Sequence, residues 1–103
     1  MARISYTQSS GAKNTHLIED LLEMVRDGKQ GCVDGVVKMI ADLHENGSDC
    51  RYLKALGGGL LELKTRTPTG GARVYLFQGS EGEYVLCRAE CKRETKANTT
   101  LLE

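Results

Sequence analysis

The chain has 103 residues, a formal net charge of zero at neutral pH and a hydrophobic fraction of 40%. This length fits a single domain over residues 1–103 with a modest core, and no stretch approaches the roughly 18 apolar residues that a membrane-spanning helix needs. Because the first ten residues, MARISYTQSS, contain no apolar signal-peptide core, the sequence predicts a cytoplasmic protein without a membrane partner.

The charges are distributed unevenly along the chain. Residues 1–50 contain five Lys or Arg and eight Asp or Glu, a net charge of −3, whereas residues 51–103 contain nine and six, a net charge of +3. The second half can therefore carry a face that binds a polyanion, although an asymmetry of this size does not require one.

The four cysteines, Cys32, Cys50, Cys87 and Cys91, include no Cys-x-x-Cys pair. Cys87 and Cys91 would lie roughly 13 Å apart if both were on one strand, which is too far for a disulfide. The chain also lacks ligand pairs close enough in sequence for a zinc site. We therefore expect free thiols in a reducing compartment, with no metal and no other cofactor.

Hydrophobic periodicity predicts a short strand in ARISYT and then two helices. The first helix is expected to start at Asn14 or Thr15 and to end at Gly28, and the second is expected to end at residues 46–47. Gly35 weakens the second helix and suggests close packing between the two helices. The apolar positions are Leu17, Ile18, Leu21, Leu22 and Val25 in the first helix and Val33, Val36, Val37, Ile40 and Leu43 in the second.

The second half is predicted to contain a connector, SDCRYLKALGGG, followed by three strands in LLELKTRT, ARVYLFQ and EYVLCRAE. The connector's three glycines are expected to give flexibility to the strand entrance. Short loops between consecutive strands favour an antiparallel meander. The predicted fold class is thus α+β, with two N-terminal helices packed on one face of a small antiparallel β-sheet. A polar segment then leads to the beginning of a helix near Asn98 or Thr99.

Cations are concentrated in the predicted strands. Lys64 and Arg66 share one strand face, because side chains alternate along a strand. Arg73 lies on the next strand, and the hairpin register decides whether it points to the same face. Lys92, Arg93 and Lys96 follow the last strand and can fold over its edge. The ordinary alternative is a solvated outer face, for which Glu62 offers a counter-charge.

No other motif in the chain indicates chemistry. The sequence contains no Ser-His-Asp set, no paired-carboxylate motif and no phosphate-binding loop, since GGGL lacks the Gly-Lys-Ser/Thr of such a loop. His16 and His44 each lie alone near a predicted helix end, and the helix dipole explains His44.

The stretch YLKALGGGLLELKTRTPTGGARVYLF resembles the RelE/HigB superfamily of bacterial toxins, especially its phage-derived Gp49-like branch. That branch has a Lys-x-Leu, a Gly-rich bend, a Leu-x-Glu-Leu-Arg-like strand, a short loop and an Arg-Val-x-Tyr/Phe strand. The resemblance covers residues 52–77 and extends to CKRET at 91–95. It implies an endoribonuclease toxin of a toxin–antitoxin system, which inhibits translation by cutting mRNA on the ribosome and is neutralised by a cognate antitoxin protein.

The resemblance also implies roles for individual residues. Arg73 would steady the scissile phosphate, Lys64 and Arg66 would be the basic residues of the preceding strand, and Arg93 would lie near the leaving oxygen. The residues expected to bind the RNA backbone are Lys54, Lys92 and Lys96.

Such a cluster suits RNA cleavage by attack of a 2′-hydroxyl on the adjacent phosphate. Arginine stabilises phosphate charge through paired hydrogen bonds but hardly loses its proton, so Lys64 is the predicted base. The sequence departs from the family pattern in the last strand and the segment after it, where many members have a His-containing stretch and this chain has Arg88, Glu90 and no His. A non-catalytic relative that binds RNA or a protein partner is therefore the alternative, and a structural or interaction module unrelated to RNA is a third.

Overall fold

The computed structural model describes residues 2–6 and 16–92. The predicted helix caps at Asn14 and Thr15, and the predicted terminal helix near Asn98, lie outside these residues. In chain order the elements are β1 (Ile4–Tyr6), α1 (His16–Arg26), α2 (Gln30–Asn46), a 3-10 turn (Gly47–Asp49), β2 (Leu53–Gly57), β3 (Leu60–Thr67), β4 (Gly70–Gln78) and β5 (Tyr84–Lys92).

The strands form one five-stranded sheet in the order β1-β5-β4-β3-β2. Strands β2 to β5 are antiparallel neighbours, whereas β1 pairs with β5 in parallel, from Ile4 opposite Tyr84 to Tyr6 opposite Leu86. The predicted antiparallel sheet with two N-terminal helices is therefore wrong: the sheet is mixed, and the helices follow a first strand. The α+β class holds. A strand of three residues carries too little alternation to indicate its partner or its direction.

The predicted connector contains strand β2, which pairs with β3 and forms the edge of the sheet. The turn between them is made by Gly57, Gly58 and Gly59, with φ of +102°, +63° and +86°. Residues with a Cβ rarely adopt these angles. The glycines therefore shape a tight hairpin turn, while the flexibility expected at the entrance to the following strand stays a prediction.

The core lies between the helices and one face of the sheet. Helix α1 packs mainly against β5, and α2 packs against β3 and β4. Helix α1 buries a narrower stripe than its apolar residues predicted: Leu17 and Met24 are buried, but Ile18, Leu22 and Val25 are exposed. The largest of the fully buried side chains are Leu17, Val36, Met39, Leu43, Leu63, Val74, Leu76, Leu86 and Cys32.

Gly35 marks a close approach between α2 and the sheet. A Cβ at this position would lie 2.8 Å from Thr67 Cγ2 and 3.3 Å from Ala72 Cβ. The close packing predicted at Gly35 is therefore present, but its partner is the β3–β4 hairpin and not the first helix. This contact holds the N-terminal half of α2 against the part of the hairpin next to the β3–β4 turn.

A disulfide joins Cys32, in the first turn of α2, to Cys91, near the end of β5. The expectation of four free thiols is wrong for this pair, whose Cα atoms are 5.8 Å apart. Cys50 and Cys87 are outside any disulfide. Sequence spacing indicates only disulfides between cysteines that are close along the chain, whereas Cys32 and Cys91 are brought together by the packing of α2 on the sheet.

Asp20 of α1 contacts β5 three residues beyond Leu86, the last β5 residue that pairs with β1 among the described residues. Its Oδ2 accepts hydrogen bonds from the Ala89 backbone N–H at 2.9 Å and from Arg88 Nε at 2.8 Å, and its Oδ1 accepts one from Arg88 Nη2 at 2.9 Å. Burial acts to raise the pKa of Asp20, but the hydrogen bonds and the charge of Arg88 outweigh it and the pKa is lowered.

Within residues 2–6 and 16–92, neither helix has the length and apolar character needed to cross a membrane.

Candidate functional site

The face of the sheet turned away from the helices, called here the open face, carries the predicted site residues. Lys64 of β3 lies directly opposite Arg73 of β4, which in turn lies opposite Glu90 of β5. Residues that are directly opposite in an antiparallel pair point to the same face. The register therefore places Lys64, Arg73 and Glu90 side by side in one row across three strands, at roughly 5 Å per strand.

Two further rows flank this central row. On one side Arg66 and Lys92 lie opposite the two edges of Gly71, so no side chain of β4 lies between the two cations. On the other side Lys54 lies opposite Glu62, which lies opposite Tyr75. The predicted cations that are exposed on this face are Lys54, Lys64, Arg66 and Lys92.

Arg73 is held by a buried carboxylate. Its Nη1 lies 3.5 Å from Glu62 Oε2, and the exposed fractions of the two side chains are 22% and 5%. Glu62 was expected to be a solvated counter-charge for Lys64 and Arg66, and its ion-pair partner is instead Arg73. The Arg73 Nε is buried and has no hydrogen-bond partner among the described residues. A buried donor without a partner is costly, so this guanidinium is held in place without being fully satisfied.

Tyr75 and Glu90 form a second polar pair beside Arg73. The Tyr75 hydroxyl donates to Glu90 Oε2 at 2.5 Å. Burial raises the pKa of Tyr75, as do the hydrogen bond to Glu90 and the negative charges of Glu90 and Glu62, with Arg73 opposing them. The phenol therefore remains protonated at neutral pH and orients the Glu90 carboxylate.

This pair is the part of the site that sequence reasoning missed. The alternation of ARVYLF already placed Tyr75 on the face of Arg73, so the sequence contained a signal for the tyrosine. Glu90 was not, because its position opposite Arg73 depends on the β4–β5 register, which shifts at a bulge between Tyr75 and Leu76. A bulge moves every later residue to the other face and leaves no reliable mark in the sequence.

The structure thus brings Lys54, Lys64, Arg66, Arg73 and Lys92 to one face. Arg93 and Lys96 lie outside the described residues. Arg88 belongs by register to the open face, opposite Tyr75, but its guanidinium reaches Asp20 at the edge of β5. Its charge is therefore used in the scaffold.

Comparison of the chain with known protein families and with curated proteins finds no match.

Proposed function

We propose that the open face binds an RNA strand and cleaves it by attack of a 2′-hydroxyl on the adjacent phosphate, the activity implied by the resemblance to RelE/HigB toxins. The observation that carries this proposal is the row of Lys64, Arg73 and Glu90, which places a proton donor and a proton acceptor on opposite sides of a guanidinium. In-line cleavage of RNA needs this order, because the attacking and leaving oxygens lie on opposite sides of the phosphorus.

In the proposed reaction Arg73 binds the scissile phosphate and stabilises the negative charge that grows on its oxygens. Glu62 keeps the guanidinium in position. Arg66, Lys92 and Lys54 hold neighbouring phosphates through charge, which makes binding sensitive to salt.

Glu90 takes the proton of the 2′-hydroxyl, since a carboxylate accepts a proton at neutral pH whereas an ammonium must first lose one. The O2′–P bond forms, the P–O5′ bond breaks, and Lys64 gives a proton to the departing 5′-oxygen. The products are a 2′,3′-cyclic phosphate and a 5′-hydroxyl. This reverses the role that the sequence predicted for Lys64, from base to acid. Arg93 remains a predicted contributor near the leaving oxygen.

The proposed location, substrate and protein partner are those that the resemblance to RelE/HigB toxins implies. The protein acts in the cytoplasm as an endoribonuclease toxin on mRNA at the ribosome, and a cognate antitoxin protein restrains it. No metal takes part in the proposed reaction.

One observation favours a second candidate, a non-catalytic relative that binds RNA. Glu62 is buried against Arg73 and neutralises part of its charge, which weakens its pull on a phosphate. This relative would bind RNA in a salt-sensitive way and leave it intact.

The test is induction of the protein in a bacterial host, with growth and mRNA 5′ ends followed over time. Arg73→Ala alone is a poor variant, because it leaves Glu62 buried without its cation. Arg73→Lys keeps the charge beside Glu62 but removes the paired donors, and Glu90→Gln keeps a partner for Tyr75 but removes the proton acceptor. Lys38→Ala, at an exposed position on α2, is the matched control.

Growth arrest with new mRNA ends, reduced at least about a hundredfold in cleavage rate by Glu90→Gln and unchanged by Lys38→Ala, is the expected result. Normal growth with abundant folded protein that still binds RNA would favour the non-catalytic relative. Folded protein that binds no RNA at low salt would refute both.

A further inference from the structure

The end of the open face beside the charged rows is apolar. Leu60 of β3 lies opposite Phe77 of β4, which lies opposite Val85 of β5. Leu60 and Phe77 are 41% and 40% exposed. Both side chains border a shallow cavity of about 410 Å³ that is also lined by Gly58, Gly59 and Gln78. Large apolar side chains that remain in solvent beside a cavity suggest a ligand surface.

The surroundings of this apolar row restrict what it can bind. The turn glycines Gly58 and Gly59 present backbone only, and among the described residues other than their chain neighbours no atoms lie within 4 Å of where their Cβ atoms would be. Phe77 is four residues beyond Arg73 on the same strand and the same face, a distance of roughly 13 Å. Four exposed cations, at residues 54, 64, 66 and 92, lie in the rows between and beyond.

We propose that the Leu60–Phe77 row is a nucleobase subsite, in which a base stacks on the Phe77 ring while the attached backbone runs along the cationic rows. This inference rests on the proposed function and specifies its substrate as single-stranded RNA. A ligand that is flat and apolar at one end and anionic along its length matches the face in both respects. A duplex does not, because its bases are stacked on one another and offer no ring face.

The chain contains no tryptophan, so Phe77→Trp introduces a single fluorescent reporter at the subsite. The position is 40% exposed, which leaves room for the larger ring. Leu22→Trp, at a 48% exposed position on α1, provides the control reporter away from the open face. The probes are a short 2′-O-methyl oligonucleotide, which has no 2′-hydroxyl to react, the same strand in a duplex, and inorganic polyphosphate. Fluorescence and binding are measured together at low salt.

The expected result is quenching of the Phe77→Trp signal by the single strand, with no quenching by polyphosphate although polyphosphate binds, and no change for Leu22→Trp. Phe77→Leu, folded by circular dichroism, should bind the single strand about tenfold or more weakly and polyphosphate equally well. Binding of the single strand without quenching, or equal loss for both ligands, overturns the subsite but leaves RNA binding intact. Failure of the wild-type protein to bind any polyanion overturns both proposals.

Discussion

Replacing Asp20 by alanine should destabilise the protein more than any loss of a single exposed ion pair. The carboxylate has two kinds of partner: the backbone N–H of Ala89, for which it is the acceptor found within residues 2–6 and 16–92, and the guanidinium of Arg88. The Asp20 side chain is 11% exposed, whereas that of Arg88 is 62% exposed. The two contributions can therefore be separated.

The backbone bond to a charged acceptor contributes about 1.5–3 kcal/mol. The exposed Arg88 adds about 0.5–1 kcal/mol, because solvent screens it. Asp20→Ala should thus lower the free energy of unfolding by about 2–4 kcal/mol, which corresponds to a fall in Tm of roughly 10–20 °C for a domain of this size. Asp20→Asn, which retains an oxygen for Ala89, should cost about half as much.

A double-mutant cycle with urea unfolding provides the measurement. Arg88→Ala alone should cost about 0.5–1 kcal/mol, and its coupling energy with Asp20→Ala should have the same size. The amide proton of Ala89 should exchange faster in Asp20→Ala but stay protected in Arg88→Ala. Equal destabilisation of the two single variants, or equal exchange rates of the Ala89 amide proton in both, would show that Asp20 does not protect the Ala89 N–H.

Three other predictions concern the same scaffold. The pKa of Asp20 is lowered from its ordinary value of 3.8. Its contribution to stability is therefore present above about pH 4 and is lost as pH falls through the folded-state pKa. In Asp20→Asn the free energy of unfolding should lack this part of its decrease at acid pH. Reduction of the disulfide between Cys32 and Cys91, which are 59 residues apart, should lower the free energy of unfolding by up to about 4 kcal/mol. Addition of dithiothreitol should not change the free energy of unfolding of Cys91→Ser. Arg73→Ala should lower the free energy of unfolding by about 3–5 kcal/mol, because Glu62 stays buried without its cation. Adding Glu62→Gln to Arg73→Ala should restore part of that loss. If the effects of the two substitutions simply add in the double variant, the two side chains do not interact.

Alternation along the chain was sufficient to locate three of the strands that carry the site, namely β3, β4 and β5. In LLELKTRT and ARVYLF every second residue is apolar or threonine, and this period assigns Lys64 and Arg73 to the outer face of their strands whatever the partner strand is. What alternation cannot supply is register. The neighbours of Arg73, namely Lys64 on one side and Glu90 on the other, follow from hairpin lengths and a bulge.

The other errors also have physical causes. Strand β2 was taken for a connector because three glycines follow it, and glycine is a weak strand residue even though this hairpin turn requires it. The stripe of α1 was predicted too wide, since periodicity identifies apolar positions but not how far the helix lies from the centre of the sheet. The Cys32–Cys91 pair depends on that same placement of helices on the sheet, which local patterns do not contain.

The parallel pairing of β1 with β5 has a consequence for synthesis of the protein. Ile4 lies opposite Tyr84, so β1 leaves the ribosome well before β5, the strand with which it pairs, and the two helices are synthesised between them. A nascent chain released after β4 would hold β1 without a neighbour and β4 with an open edge, the kind of edge that recruits other chains. Truncation in this region should therefore yield aggregating fragments and not a smaller folded domain.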